Sequence, residues 1–232
     1  MILADIKQDF YLNFIKDDRY MWLVDGLKTT LIITFFAAIL GIILGFIVAI
    51  IRSAHDKSGH FKILNAVCRV YLTVIRGTPT MIQLLIMNFV IFGAVSINKV
   101  IVGSLAFGIN SGAYVAEIVR SGIMSIDQGQ TEAGRSLGLN FSQTMRLIII
   151  PQAFKNGLPA LVNEFIVLIK ETSIIGYIGM MDLTKGAMLI QSRTYNAFWP
   201  LLAAAVIYLV LVMFLTFLMN KLERRLRTNE RK

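Results

Sequence analysis

Two stretches of this chain carry no Asp, Glu, Lys or Arg over unusually long distances. Thr29–Ile51 and Ala197–Asn220 contain 23 and 24 residues. At about 1.5 Å per helical residue, each is longer than the roughly 30 Å hydrocarbon core of a bilayer. Only 16% of all residues are charged, against about 25% in soluble domains. We therefore predict an all-α integral membrane protein.

Three further segments complete the predicted set of membrane spans. Gly77–Asn98 has no charged residue, and Val100–Ala116 is uncharged but short. The fourth span in chain order is predicted from Pro159 to about Met181, although three charged residues interrupt it. The sequence thus predicts five transmembrane helices.

Basic residues test this count, because lysine and arginine accumulate on the cytoplasmic side of membrane proteins. With five spans, 15 basic residues lie in segments on one side and 7 on the other, and Lys28 lies at a boundary. The asymmetry predicts an outer amino end and a cytoplasmic carboxyl end. It also accounts for much of the net charge of +9, which therefore gives no evidence for nucleic-acid binding.

The predicted organisation is an outer-face arm, a five-span domain and a basic cytoplasmic tail, over residues 1–25, 26–220 and 221–232. In the arm, apolar residues recur at every fourth position: Ile2, Ile6, Phe10 and Phe14. This pattern is typical of an amphipathic helix on the membrane surface, and a helix packed on the bundle explains it equally well. Small residues at helical spacing predict close packing within the spans: Gly41 and Gly45, and Ser104, Gly108, Gly112 and Ala116.

The chain offers no pattern for a metal site or a catalytic centre. It has one cysteine, Cys68, and its two histidines, His55 and His60, are five residues apart, which does not place both rings on one helical face. We expect no bound metal and no catalytic residue, which disfavours a membrane enzyme.

A cytoplasmic connection of about 119–157 is too long for a simple turn. Asp127 is a candidate N-cap for a helix over Gln128–Leu137, with Gly138 as a left-handed stop. Asn140–Gln143 has the spacing of a capping box that starts a second helix. The predicted shape is two short helices with a sharp corner, which either dock on another protein or cover the inner face of the bundle.

This connection resembles the signature of ABC importer permeases. That signature is Glu-Ala-Ala, three residues, Gly, nine residues, Ile, one residue and Leu-Pro, and it fits Glu132–Pro151 without a gap. Gly134 replaces the second alanine, and Ile150 replaces the leucine. Further segments resemble the polar amino acid permeases of the histidine, glutamine and arginine type: Arg76–Pro79, Asn110–Glu117, Pro151–Ala153, Leu158–Pro159 and Lys170–Ser173.

The resemblance covers nearly the whole chain and implies a type I ABC importer permease of a bacterial inner membrane. It implies a coupling helix that docks on a cytoplasmic ATPase through Glu132, Ala133, Gly134, Arg135, Leu137 and Gly138. It also implies a second permease subunit, two ATPase subunits, an extracytoplasmic binding protein and an amino acid as substrate. The chain has no Gly-x-x-x-x-Gly-Lys-Ser/Thr motif, so ATP and Mg²⁺ are expected in the ATPase and no cofactor in this chain.

Glu164 is the most informative candidate for substrate binding, because ionisable residues inside spans usually mark a pathway or a buried pair. It is expected either to hold a cationic group of the amino acid, with Asn163 beside it, or to pair with an arginine or Lys170. In the third span, Tyr114 is placed to pack an aliphatic stem, and either Ser111 or backbone groups near Gly112 to bind an α-carboxylate.

The second span contains Thr78 followed by a proline, which breaks a helix and frees backbone groups. Such groups are tolerated only where protein or a water-filled cavity satisfies them, so the pathway wall is predicted to include Thr78, Met81, Gln83 and Leu85. Glu117 is expected to pair with Arg120 or Arg76. An ion-coupled secondary carrier or a gated channel is the alternative, and only Glu164 and Glu171 suggest one.

Overall fold

The computed structural model describes residues 2–228, without the side chains of 2–5, 57–58 and 222–228. This range contains helices and no β-strand. The α-helices of this range are α1 (Ile2–Phe10), α2 (Tyr20–Ser58), α3 (Lys62–Gly77), α4 (Thr80–Leu85), α5 (Lys99–Met124), α6 (Gln128–Ser136), α7 (Phe141–Thr144), α8 (Ile150–Glu171), α9 (Leu183–Thr194) and α10 (Phe198–Thr228). Short π- or 3₁₀-helical segments follow α1, α4, α7 and α8.

The centre of the bundle is the parallel pair of α2 and α5. Their contacts follow the same order along both helices: Gly41 with Ser111, Gly45 with Val115, Arg52 with Glu117 and Asp56 with Arg120. A Cβ added at Gly112 would lie 3.0 Å from the Leu44 Cβ atom, so the predicted close packing of small residues is confirmed. Because the two helices run in the same direction, the chain between them has to return along the bundle.

That return is made by α3 and α4, and the helix axis bends by 109° between them. The break falls at Thr78 and Pro79, as predicted. However, the sequence placed the residues before Gly77 in a cytoplasmic connection, whereas they form the helix α3. A search for uncharged runs misses this helix because Arg69 and Arg76 interrupt the run. The two arginines are seven residues apart, so both lie on one face of the helix.

Among the described residues, length and composition alone single out three helices able to cross a membrane, Tyr20–Asp56, Lys99–Met124 and Phe198–Lys221, or four if the bent pair of α3 and α4 is one span. The α8 helix fails that test. It nevertheless runs antiparallel to the whole of α5, through these contacts: Asn156 with Ser125, Glu164 with Ser111 and, in the segment after α8, Ile175 with Gly103.

The apolar core falls into three clusters along the helix axes. The first includes Phe14, Leu23 and Leu183, the second is built around Ile33, Leu84 and Phe107, and the third contains Val48, Leu72 and Ala113. On α5 the second and third clusters are separated by the polar residues Asn110 and Ser111, both buried. The core thus leaves a polar level near the middle of the bundle.

The amino-terminal arm packs on the bundle. Phe14 is buried in the first cluster, and the Trp199 indole donates a hydrogen bond of 3.1 Å to the Asp9 carboxylate. Ile6 and Phe10 are exposed, so the arm still presents an apolar face. Residues 20–25 of the predicted arm already belong to α2, and within the predicted tail, 229–232 lie outside the described residues.

Candidate functional site

Ser111 and Glu164, both predicted to contact substrate, meet at the polar level of the bundle. The Ser111 hydroxyl, at the midpoint of α5, donates a hydrogen bond of 2.8 Å to the Glu164 carboxylate. Ser111 is buried and Glu164 is half-buried. Among the ion pairs of the described residues, none involves Glu164. The pairing with an arginine or Lys170, expected as the alternative, is therefore not present there.

Gln83 closes the helix break. Its side-chain amide nitrogen lies 2.8 Å from the Ile75 carbonyl oxygen, which Pro79 leaves without a helical donor, and 3.0 Å from the Thr78 carbonyl oxygen at the break. Its amide oxygen accepts a hydrogen bond of 3.0 Å from Asn110 on α5. One side chain thus satisfies the broken backbone and ties it to the polar level.

Replacing Gln83 by leucine is expected to destabilise the purified subunit. The change keeps the volume but removes every side-chain hydrogen bond that Gln83 makes at the break, and one unsatisfied buried group costs about 1–3 kcal/mol. Thermal unfolding in detergent would show a lower midpoint than for the wild type. Gln191→Leu, at a half-buried glutamine of α9, is the matched control. Equal midpoints for both variants would contradict this role of Gln83.

Tyr114 lies one turn beyond Ser111, under a cluster of charged residues. The Arg76 guanidinium carbon is 5.6 Å from the centre of its ring. Glu117 contacts Arg52 at 2.8 Å and Arg76 at 3.7 Å. The expected Arg76 partner of Glu117 is confirmed and the Arg120 partner is wrong.

Arg120 pairs with Asp56 at 3.1 Å instead. Arg52 was not foreseen as the main partner of Glu117, because the two lie 65 positions apart in the chain. Their contact depends on the parallel pairing of α2 and α5, which no local pattern in the sequence indicates.

The other predicted wall residues are only partly assembled. Met81 and Leu85 are half-buried on α4, and Leu85 packs against the second apolar cluster. Thr78 is exposed at the break and donates to the Val74 carbonyl, and Asn163 is exposed on α8. Asn110, which was not among the predicted substrate residues, is the link between Gln83 and the Ser111 level.

The connection between α5 and α8 has the predicted shape. The Asp127 side chain accepts a hydrogen bond of 2.6 Å from the Gly129 amide, and Gly138 has a φ of +81°. Asn140 and Gln143 form the capping box. The first helix ends at Ser136, one residue earlier than predicted. The second does not stop but continues through α7 and a π-helical segment into α8.

The predicted docking residues lie at the corner of this connection. Gly134 is buried, and a Cβ added there would lie 2.7 Å from the Thr144 methyl carbon. The absence of a side chain at Gly134 therefore allows α6 to pack closely against the second helix. The others are exposed: Glu132, Ala133, Arg135, Leu137 and Gly138. Leu137 has 79% of its surface accessible. The corner therefore presents a compact exposed face.

No group of three or more His, Cys, Asp or Glu residues in the described part of the chain is placed to hold a metal ion. The structure is thus a helical membrane bundle with a polar level at its centre and a corner of two short helices at one end. These features define the membrane subunit of a transporter. The chain belongs to the family of binding-protein-dependent transport system inner membrane components, whose sequence profile matches residues 41–228.

Curated relatives agree with this assignment. The chain is 38% identical over 213 residues to the putative glutamine transport system permease protein of Rickettsia typhi, covering 91% of this chain and 95% of the relative. It is 39% identical over 211 residues to the arginine transport system permease protein of Bacillus subtilis, covering 90% and 94%.

Solved structures give the same result. A structure of an amino acid ABC transporter with histidines matches with a TM-score of 0.83 at 42% identity, covering 91% of this chain and 98% of that one. An inward-facing structure of the MetNI methionine ABC transporter matches with a TM-score of 0.74 at 22% identity and supports the fold alone.

The chain is thus a permease subunit of an ABC importer, and the predicted all-α membrane fold of the type I importer class is confirmed. Such a permease is not itself an enzyme, because ATP is hydrolysed by a separate ATPase subunit. The family implies a partner permease, an ATPase and a substrate-binding protein. The ion-coupled carrier and the gated channel are not favoured.

Proposed function

We propose that this permease imports polar amino acids, including those with a cationic side chain, across the bacterial cytoplasmic membrane. The observation that carries the proposal is the Glu164 carboxylate at the polar level of the bundle, hydrogen-bonded to Ser111. The names of the relatives, which are glutamine and arginine permeases, and the related structure with histidines support the same substrate class.

A carboxylate at this depth calls for a positive partner. Placing an acidic side chain at the centre of a span costs about 2.5–3.5 kcal/mol on insertion scales. No basic side chain in the described residues forms an ion pair with Glu164, so an ammonium or guanidinium group of the substrate is the partner we assign. Tyr114, one turn along α5, is placed to pack the aliphatic part of such a side chain, and Asn163 to add an amide contact.

The complex contains a second permease, identical or related, and two cytoplasmic ATPases that use ATP and Mg²⁺. An extracytoplasmic binding protein delivers the amino acid. The chain crosses the membrane five times, with its amino end outside and its carboxyl end in the cytoplasm. The parallel α2 and α5, with α8 antiparallel to them, support this count, because two crossings of the same direction require a return between them.

The permease works by alternating access. ATP binding closes the ATPases, which draws together the two corners formed by α6 and α7. Docking is assigned to Glu132, Ala133, Gly134, Arg135, Leu137 and Gly138. Because α7 continues into α8, movement at the corner reaches the helix that carries Glu164.

Transport by the purified complex tests the proposal. The permease would be reconstituted in proteoliposomes with the ATPase and the binding protein of its complex, and uptake of labelled L-arginine, L-histidine and L-glutamine measured. We expect ATP-dependent uptake of at least one of them, lost with an ATPase variant that lacks its phosphate-binding lysine. Uptake driven by an ion gradient without ATP would contradict the proposal and favour a secondary carrier.

A further inference from the structure

A cavity of about 440 Å³ opens between α2, α3 and α5, beyond Tyr114 in the cytoplasmic half of the bundle assigned above. Its polar lining consists of three arginines, a threonine and a glutamate: Arg52, Arg69, Arg76, Thr73 and Glu117. We call this space the arginine cavity. Three guanidinium groups face one carboxylate there, so the lining carries more positive than negative charge.

The hydrogen-bonding capacity of these arginines is not exhausted. Glu117 is occupied mainly by Arg52, at 2.8 Å, and lies 3.7 Å from Arg76. The Arg52 Nε atom is buried and has no hydrogen-bond partner, and 43% of the Arg76 side chain is exposed. A guanidinium group has five donors arranged as a fork that matches a carboxylate. The exposed Arg76 guanidinium therefore offers the cavity donors suited to an anionic oxygen pair.

The position of the arginine cavity relates it to Glu164. Ser111, Tyr114 and Glu117 follow one another at intervals of three on α5, so Ser111 and Glu117 lie about 9 Å apart along the helix axis. An acidic group, an aromatic ring and a basic cluster are thus arranged in this order along the bundle. An amino acid with a long cationic side chain has the complementary order: cation, aliphatic stem and carboxylate.

We propose that the arginine cavity binds the α-carboxylate of the transported amino acid, with Arg76 as its principal contact. Arg76 lies over the ring of Tyr114, which places its guanidinium at the boundary between the aromatic level and the cavity. Thr73 adds a hydroxyl donor. Arg52 is the nearer partner of Glu117, at 2.8 Å against 3.7 Å for Arg76, which leaves donors of Arg76 for the carboxylate. The substrate is thereby oriented with its carboxylate toward the cytoplasm. This inference rests on the proposed function and specifies which end of the amino acid leads.

The same cavity chemistry would also suit the phosphate of an anionic lipid. The carboxylate is favoured because Arg76 of the cavity lies against Tyr114, one helical turn from Ser111 and its contact with Glu164, whereas a lipid phosphate has no use for that acidic group. Arg76 and Glu117 are each partly exposed, so both ligands have access to the cavity. The experiment therefore has to separate the two sources.

Binding to the permease–ATPase complex in nanodiscs, without the binding protein, tests the inference. The probes are two pairs that differ only by the carboxylate, L-arginine with agmatine and L-histidine with histamine. For wild-type protein we expect the amino acid to bind about ten-fold or more tightly than its decarboxylated partner, the range expected for a charge-assisted bidentate contact. Arg76→Gln is expected to remove most of this preference by weakening the amino acid and leaving the amine unchanged.

Two further variants keep the test decisive if Arg76→Gln fails to fold. Thr73→Val is isosteric and is expected to lower the preference by a few-fold. Arg120→Gln is the matched control, because it removes an arginine of α5 that pairs with Asp56 outside the cavity, and it should retain the wild-type preference. A preference that is unchanged in Arg76→Gln and Thr73→Val would overturn the inference.

The remaining outcomes separate the inference from the proposed function and from lipid binding. ATP-driven uptake with no carboxylate preference in the wild type leaves the proposed function standing and overturns the inference. Absence of both binding and uptake of all three amino acids overturns both. Native mass spectrometry of the complex from nanodiscs of phosphatidylcholine and phosphatidylglycerol measures bound lipid. If Arg76→Gln loses bound phosphatidylglycerol but keeps the wild-type preference for the amino acid over its amine, the cavity binds a lipid phosphate and the inference is overturned.

Discussion

Glu164→Gln is expected to lower the affinity of the complex for a cationic amino acid by about 10- to 100-fold. The glutamine keeps the shape of the side chain and an oxygen that accepts the Ser111 hydrogen bond, but it removes the negative charge. A hydrogen bond to a charged group is worth about 1.5–3 kcal/mol, which corresponds to that range. The measurement is the concentration dependence of L-arginine uptake in proteoliposomes.

Uptake of L-glutamine by the same variant is the internal control, since a neutral side chain does not depend on the charge. Ser111→Ala is the matched variant, because it leaves the carboxylate and removes only its hydrogen bond of 2.8 Å. A smaller loss is expected for Ser111→Ala than for Glu164→Gln. Equal losses for L-arginine and L-glutamine in Glu164→Gln would assign Glu164 to structure and not to the substrate.

Gly138→Asp is expected to uncouple ATP hydrolysis from transport. Gly138 has a φ of +81°, where a residue with a side chain pays about 1–2 kcal/mol, and no atom lies within 4 Å of an added Cβ. The subunit should therefore fold and assemble, with a distorted and negatively charged corner. We expect uptake to fall to background while ATP hydrolysis continues without stimulation by the binding protein.

Two variants separate charge from strain and place the effect at the corner. Gly138→Asn tolerates a positive φ and adds no charge, so it should retain more uptake than the aspartate. Gly59→Asp introduces the same residue at another exposed glycine, with a φ of +66° at the end of α2, and should transport normally. Normal uptake by Gly138→Asp, with the ATPase still bound, would remove this corner from the docking surface.

The corner was predictable because its structure is local. Asp127, Gly138 and the Asn140–Gln143 capping box each depend on contacts within four residues, so spacing alone specified them. The α3 helix was not predicted, because Arg69 and Arg76 interrupt the uncharged run that marks a span. Its helical character shows in a periodicity of charge and apolar residues, which a search for uncharged runs does not detect.

The candidate site shows the same division. Glu164 and Ser111 were selected as polar residues within spans, and the structure brings them into contact. The Arg52–Glu117 pair and the Asn110–Gln83 contact join helices whose pairing depends on the packing of the whole bundle. Glu117 and Gln83 were selected from the sequence, but which residue pairs with each of them follows only from tertiary structure.

The continuity of α7, the π-helical segment and α8 gives the permease a lever arm. Glu164 lies 23 positions beyond Phe141, a length of about 35 Å at 1.5 Å per residue. If this arm pivots about the corner by about 10° as a rod, without flexing, Glu164 moves by roughly 6 Å. Pro159 and the π-helical turns are the places where such a rod can flex. A displacement of this size at Glu164 would break its 2.8 Å hydrogen bond with Ser111, because such a bond is lost beyond about 3.5 Å.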